Sequence, residues 1–467
     1  MMAEIPDLEK FLTYAEKLGA EHVTIRFNNT KYELISVVNG VVSEYTYTDM
    51  SGIGVSVLVG KSPGFSSTNS LDDNSIKKAV EEAVNAAKAV KGKSYEIELA
   101  DVKAAKDKVV GPYKVCPFDI DEKEKIEILM NTNKAARELD GIKSTTTRLG
   151  LELDRRVIVS NDGINVEVTT RLVGLSHISV AGEAGSMERV WDSRSQSAGF
   201  EFIRSQNWNE MAMEVSKMAL ELVKASAPKA GKYTVVLHPD VVGLLIHEAF
   251  GHASEGDTVY ANASVLANRI GEDIAAREVS VVDEGVIEGG YFFPYDDEGV
   301  PKGKTYIVKD GKLTGYLTSR AVAKALNMSP TGNARAQDFR NQVLVRQTNY
   351  YIEPGDMSFE ELLEDVDYGI YITGKGAGGG EVNPAAGTFT FGVGYSRLIR
   401  DGELAEPVRG VTLTGMILDV LKNVDGLGKS LEIRTSVFGG CGKGGQRVRV
   451  GDGGPYVRVR NMIVGGR

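Results

Sequence analysis

The chain changes texture at ASAPKAGK, residues 225–232, and no other feature limits its possible folds as strongly. Before this point long strand-like runs alternate with amphipathic helices. Beyond it, short strands separated by glycine turns dominate. A chain of 467 residues is long for a single core. The reading is therefore an α+β protein, with a mixed N-terminal domain over 1–228 and a β-rich C-terminal domain over 229–467.

In the first half, apolar spacing predicts a helix over Asp7–Leu18, with Leu8, Phe11, Leu12, Ala15 and Leu18 on one face. Four strands are expected in HVTIRFNN, KYELISVVNG, VVSEYTYTD and GIGVSVLVG, separated by Gly, Asn and Asp turns. DDNSIKKAVEEAVNAAKAV reads as a helix capped by Asp73 or Asn74. Residues 91–120 read as a connection. A helix from Lys123 to Leu139, a second strand group and the helix NEMAMEVSKMALELVKAS complete this half. In the second half KYTVVLHP is a strand and DVVGLLIHEAF a short helix opened by Asp240. Ser358 and Glu361 form a capping box ahead of SFEELLEDV.

Charge and cysteine content exclude several functions. Lys plus Arg minus Asp plus Glu is 54 − 64 = −10, the wrong sign for sequence-independent nucleic-acid binding. Arg447, Arg449, Arg458 and Arg460 recur at period two near the end, which reads as the solvated face of an edge or half-buried strand. Two cysteines, Cys116 and Cys441, cannot make a disulfide framework and suit a reducing compartment. The first residues lack the basic start and apolar run of a signal peptide. No apolar run approaches the ~20 residues of a membrane span. A cytoplasmic protein without membrane or nucleic-acid partners is expected.

Three Gly-Lys-Ser/Thr triplets, at 60–62, 303–305 and 428–430, invite a nucleotide reading. A phosphate loop needs a further glycine five positions before each. Val55, Glu298 and Asn423 stand there instead. The glycine run at 374–387 is not followed by a helix pattern, so the dinucleotide fingerprint fails too. Its open positions Gly378, Gly379 and Gly380 can instead form a floor along which a peptide backbone lies.

The stretch LLIHEAFGH puts His247 and His252 on either side of Glu248. Histidines four apart lie about 40° apart around an α-helix, whereas five apart leaves about 140°. On a regular helix this pair cannot share an ion. A π-type turn cures the mismatch by bringing positions i and i+5 nearly into line. So does a helix that ends at Gly251 in a left-handed exit. A bulged or terminated turn at Phe250–Gly251 is therefore predicted. Catalytic zinc usually takes three protein ligands. Glu255, Asp257 and Cys441 are the candidates for the third. Cys441 lies in FGGCGKGGQ, glycine-rich and basic, where the alternative is a buried small hydrophobe. Cys116 reads as structural.

With these segments in view, the chain resembles the TldD/PmbA metalloproteases, also called modulators of DNA gyrase. The resemblance rests on HEAFGH with ASEGD, DDEGVPKGKTYIVKDGKLTGYL, TGNAR, VRQTNYYIEPGD and GGCGKGGQ, and more loosely on GIGVSVLVGKSPGFSS. It implies that His247, His252 and Cys441 hold a zinc ion and that Glu248 is the catalytic general base. It also implies the TldD-like catalytic subunit, since the PmbA/TldE-type relatives lack the motif. A homodimer, or a heterodimer with a TldE/PmbA-like subunit, would surround an enclosed cavity. Substrates would be unfolded peptides or small proteins, peptide-antibiotic precursors among them. The competing reading is a non-catalytic scaffold stabilised by zinc, although such sites usually close all four positions with protein ligands.

Overall fold

The computed structural model describes residues 4–93, 96–183 and 185–466. Among these, the first half builds one sheet from β1 (His22–Val38), β2 (Val41–Val59), β3 (Ser62–Thr68), β4 (Lys106–Val110), β5 (Ile142–Ser160), β6 (Asn165–Glu183) and β7 (Ser186–Gln196). The order is β3-β2-β1-β5-β6-β4, with β7 also against β6. Neighbours are antiparallel except β4 and β6. The helices are α1 (Glu9–Lys17), α2 (Asp73–Val90), α3 (Glu122–Arg137), α4 (Glu201–Ser205) and α5 (Trp208–Leu222).

Two expectations fail here for one reason. The turns expected within HVTIRFNN–KYELISVVNG and VVSEYTYTD–GIGVSVLVG are absent; β1 and β2 run unbroken. Their polar residues find partners across the sheet. Asn28 donates to Asp154 at 2.6 Å and Asn29 to Asp49 at 2.8 Å, so nothing forces the chain out to water. The turn at Asn39-Gly40 does form, with both residues at positive φ as a two-residue hairpin requires. The cap of α2 is Asp72, one residue earlier than expected, accepting from the N–H groups of Asn74 and Ser75. The stretch read as a connection holds β4, and β7 and α4 escape a sequence reading because neither carries strong apolar periodicity.

Strand alternation decides what each face of this sheet meets. Odd-numbered side chains of β1 and β5, among them Ile25, Phe27, Ile35, Leu149 and Leu151, pack against the helices of the same half. Even-numbered ones turn to the second half and include the charged Arg26, Glu152, Asp154 and Arg156. Arg156 holds Asp297 at 2.8 Å and Arg449 holds Glu152 at 2.5 Å. Phe339 seats its ring over Gly52, where a Cβ would lie 2.3 Å from a ring carbon.

The second half contains a nine-stranded sheet and a six-stranded sheet among the described residues. The first has β8 (Gly231–Leu237) near its middle, parallel to Tyr368–Ile372 and antiparallel to Val457–Gly466. The Val457–Gly466 strand is thus interior, and the arginine reading needs correction. Arg458 is 4% exposed and bonds Asp425 at 2.9 Å. Arg460 pairs with the same carboxylate, whereas Arg447 and Arg449 lie on or beside a separate hairpin, Cys441–Val448. The four do not share one solvated face. The Ser358–Glu361 capping box forms as read.

His177 in β6 gives a test of the first sheet. Its ring lies between Thr147 Oγ1 (2.8 Å) and Ser179 Oγ (2.9 Å), and burial holds its pKa down at about 4. An unfolded chain takes up this proton near pH 6.5. Between those values only the unfolded state is protonated, so stability falls as pH drops from 6.5 towards 4, by up to about 3 kcal/mol. In denaturant titrations across that range, His177→Gln should show a shallower loss than wild type.

Candidate metal centre

β8 leads through His238 into a helix, α6 (Pro239–Leu245). The His238 ring, rather than Asp240, caps it by accepting from the Asp240 N–H, and Pro239 occupies the first turn. Asp240 is thereby left free to pair elsewhere. From Ile246 to Gly251 the helix widens into a π turn, then tightens to a 3₁₀ turn over His252–Ser254. The His252 N–H donates to the His247 carbonyl, the i→i+5 bond that defines the wider turn. The two imidazoles come face to edge, with centroids 5.4 Å apart and planes at 88°.

Gly251 matters here for a reason the sequence did not reveal. Its φ is −60°, so no left-handed exit occurs. It is required instead by space: a Cβ would lie 2.1 Å from Gln347 Oε1. Gln347 in turn donates to the His247 carbonyl at 3.1 Å, and so braces the π turn. On the other side Ile246, Ala249, Phe250 and Ala253 bury themselves in the main core of this half.

Cys441 arrives from the opposite direction. It opens the hairpin Cys441–Lys443/Gln446–Val448, whose turn residues Gly444 and Gly445 both have positive φ. Its Sγ lies 3.3 Å from His252 Nε2. Ligand atoms of His247, His252 and Cys441 all fall within 4.8 Å of one another. Burial opposes charge on all three, yet their mutual attraction wins. His247 is pushed up to about 9 and His252 to about 10, chiefly by the sulfur, while the two rings draw Cys441 down to about 5. Two imidazoles and a thiolate converging in this way suit a tetrahedral, borderline-soft divalent cation.

Neither acid considered as a third ligand takes that place. Glu255 is 1% exposed; its Oε2 lies 3.2 Å from His252 Nδ1 and 2.8 Å from Lys443 Nζ. It orients the ring from behind. Asp257 receives Lys443 at 2.7 Å.

Comparison with known proteins places this chain in a family. Three family profiles match: PmbA/TldA metallopeptidase domain 1 over residues 23–87, the central domain over 116–223 and the C-terminal domain over 230–466. The chain belongs to the PmbA/TldD metallopeptidase family. A metalloprotease of Methanocaldococcus jannaschii is 37% identical over 98% of this chain and 99% of its own. A zinc metalloprotease TldD homolog of Saccharolobus solfataricus is 30% identical over the same shares. Among solved structures, a Thermotoga maritima protein described as a modulator of a DNA gyrase shares the fold, with a TM-score of 0.81, 22% identity and coverage of 98% and 99%. TldE from Thermococcus kodakarensis does so at 0.77 and 18%, over 98% and 100%.

In this PmbA/TldD chain a cleft of about 430 Å³ opens beside the triad. Glu248 lines it, with Oε2 3.7 Å from His252 Nε2 and 38% of its side chain exposed. Gly378 and Gly379 line it as well. Gly380 does not: it lies under Thr390, whose carbonyl oxygen would be 1.8 Å from a Cβ. A charged part of the lining was missed from sequence. There Lys375 bridges Asp192 (2.6 Å) and Asp240 (3.1 Å), and Arg434 holds Asp240 at 2.7 Å. Asp192 belongs to β7, so the first half contributes to the cleft. No local pattern links residues 192, 240, 375 and 434; only the fold does. No helix among the described residues is long and apolar enough to cross a membrane.

The Gly251–Gln347 contact yields a prediction. Gly251→Ala should destabilise the protein by about 1–3 kcal/mol through overpacking. Adding Gln347→Ala removes the clash and should recover part of that loss in chemical denaturation.

Proposed function

We propose that this chain is a zinc-dependent peptidase that hydrolyses unfolded peptides or small proteins, with His247, His252 and Cys441 as the metal ligands. The observation that carries this reading is the convergence of those three side chains within 4.8 Å at the wall of a cleft that Glu248 also lines. Zinc, when bound, supplies Lewis acidity to the scissile carbonyl. Glu248 takes a proton from the attacking water onto its carboxylate and returns it to the leaving amine nitrogen. Water and the peptide bond thus give one carboxylate and one amine. Half-exposure suits this task, since the carboxylate meets the cleft without being sealed in the core.

The main chain provides for the substrate. Gly379–Asn383 is an edge strand of the nine-stranded sheet, paired among the described residues on one side only, with Thr388–Gly392. A peptide laid against its free edge gains main-chain hydrogen bonds with little demand on its side chains. Gly378 and Gly379 leave open space there, since no atom lies within 4 Å of an added Cβ at either.

Glu248→Gln should retain one zinc per chain and lose peptidase activity by about 10²–10⁴-fold. Normal cleavage by that variant would remove Glu248 from the mechanism. The same inactive protein, holding an uncleaved peptide, should slow hydrogen exchange at the amides of 379–383.

The proposal extends to a two-chain assembly in the cytoplasm, either a homodimer or a heterodimer with a TldE/PmbA-like subunit, enclosing the cleft. Likeness of fold to TldE supports it. The division at 228/229 is proposed with it, supported by a first sheet that ends at Gln196 and a second that begins at Gly231. The mass in solution tests the homodimer: twice that of the chain is expected, and a single-chain mass at micromolar concentration counts against it.

A further inference from the structure

The two histidines receive unequal support. His252 has Glu255 on Nδ1 at 3.2 Å, which leaves Nε2 towards Cys441. His247 is 3% exposed, yet its Nδ1 is buried without a hydrogen-bond partner. A neutral imidazole carries one N–H, and a buried donor needs an acceptor. One carboxylate stands nearby: Asp452 Oδ2, at 3.9 Å from that nitrogen.

Asp452 lies on the short strand Gly451–Gly454, which packs beside α6. Its Oδ1 occupies a hollow over Gly243, where an added Cβ would lie 2.7 Å from it. Among the described residues its carboxylate forms no other ion pair. The His247 backbone is meanwhile fixed by Gln347. Closing 3.9 Å to a hydrogen bond of about 2.9 Å needs only a small rotation of ring or carboxylate.

We infer that Asp452 is the positioning residue for His247: it accepts the Nδ1–H and so presents Nε2 to the metal. The inference rests on the metallopeptidase reading above. It gives each imidazole its own carboxylate, Glu255 behind one and Asp452 behind the other. Such a partner fixes the tautomer and ring orientation, and losing it typically weakens metal binding by about 10–100-fold.

The test measures zinc affinity by chelator competition and the absorption of the cobalt(II)-loaded protein, neither of which needs turnover. Asp452→Ala should bind zinc about 10–100-fold more weakly and shift the cobalt spectrum. Asp452→Asn, which keeps an acceptor oxygen, should return most of both. Gly243→Ala, whose Cβ meets the carboxylate and the backbone at Asp452–Gly453, should follow Asp452→Ala. Equal zinc affinity in wild type and Asp452→Ala overturns the inference and leaves the metallopeptidase reading standing. Wild type that binds no zinc overturns both. If Asp452→Ala does not fold, unchanged affinity in Gly243→Ala overturns the inference instead.

Discussion

Glu255 meets an imidazole and an ammonium group at almost zero exposure, and the centre is organised around that contact. An ionised carboxylate in such a place costs several kcal/mol unless its oxygens are paired. His252 and Lys443 satisfy that demand from either side, Lys443 from a distant part of the chain. Lys443 belongs to the hairpin that carries Cys441, so the ion pair draws the thiol towards the two imidazoles. Attraction between sulfur and rings then stabilises the charged form of each against burial. The three side chains proposed as ligands thus stand within 4.8 Å of one another, and the protons on the two rings must leave before a cation binds there.

The π turn and the glycine beside it are the backbone counterpart of that contact. Gln347, drawn close by the absence of a Cβ at Gly251, holds the His247 carbonyl that also accepts the i→i+5 bond. Wider turns of this kind are rare and concentrate at functional sites. The cleft in front is shared between the halves of the molecule. Even-numbered charged residues on the first sheet meet arginines and aspartates of the second half, and β7 carries Asp192 to the cleft wall.

Much of this was legible beforehand, and the failures share a cause. Most of the expected helices appear within a residue or two because apolar spacing and capping are local properties, although the one expected to run to Ser226 ends at Leu222. The expected turns at Asn28–Asn29 and near Asp49 do not appear, because Asp154 and Asp49 offer partners that a one-dimensional reading cannot see. Asp240 was expected to open its helix and instead joins Lys375 and Arg434 across the cleft. The basic ending, expected on a solvated face, divides between an interior strand and a hairpin.

By itself the sequence determined the α+β character, the five-position spacing of two histidines around a glutamate, and therefore the need for a non-standard turn. Helix geometry is universal, and five positions cannot be reconciled with 3.6 per turn by any distant contact. Tertiary structure alone decided why Gly251 is a glycine, which carboxylates stand behind the rings, and which glycines face the cleft. Most of those matters depend on atoms brought together from residues nearly a hundred or more positions apart, and no local pattern encodes such a meeting.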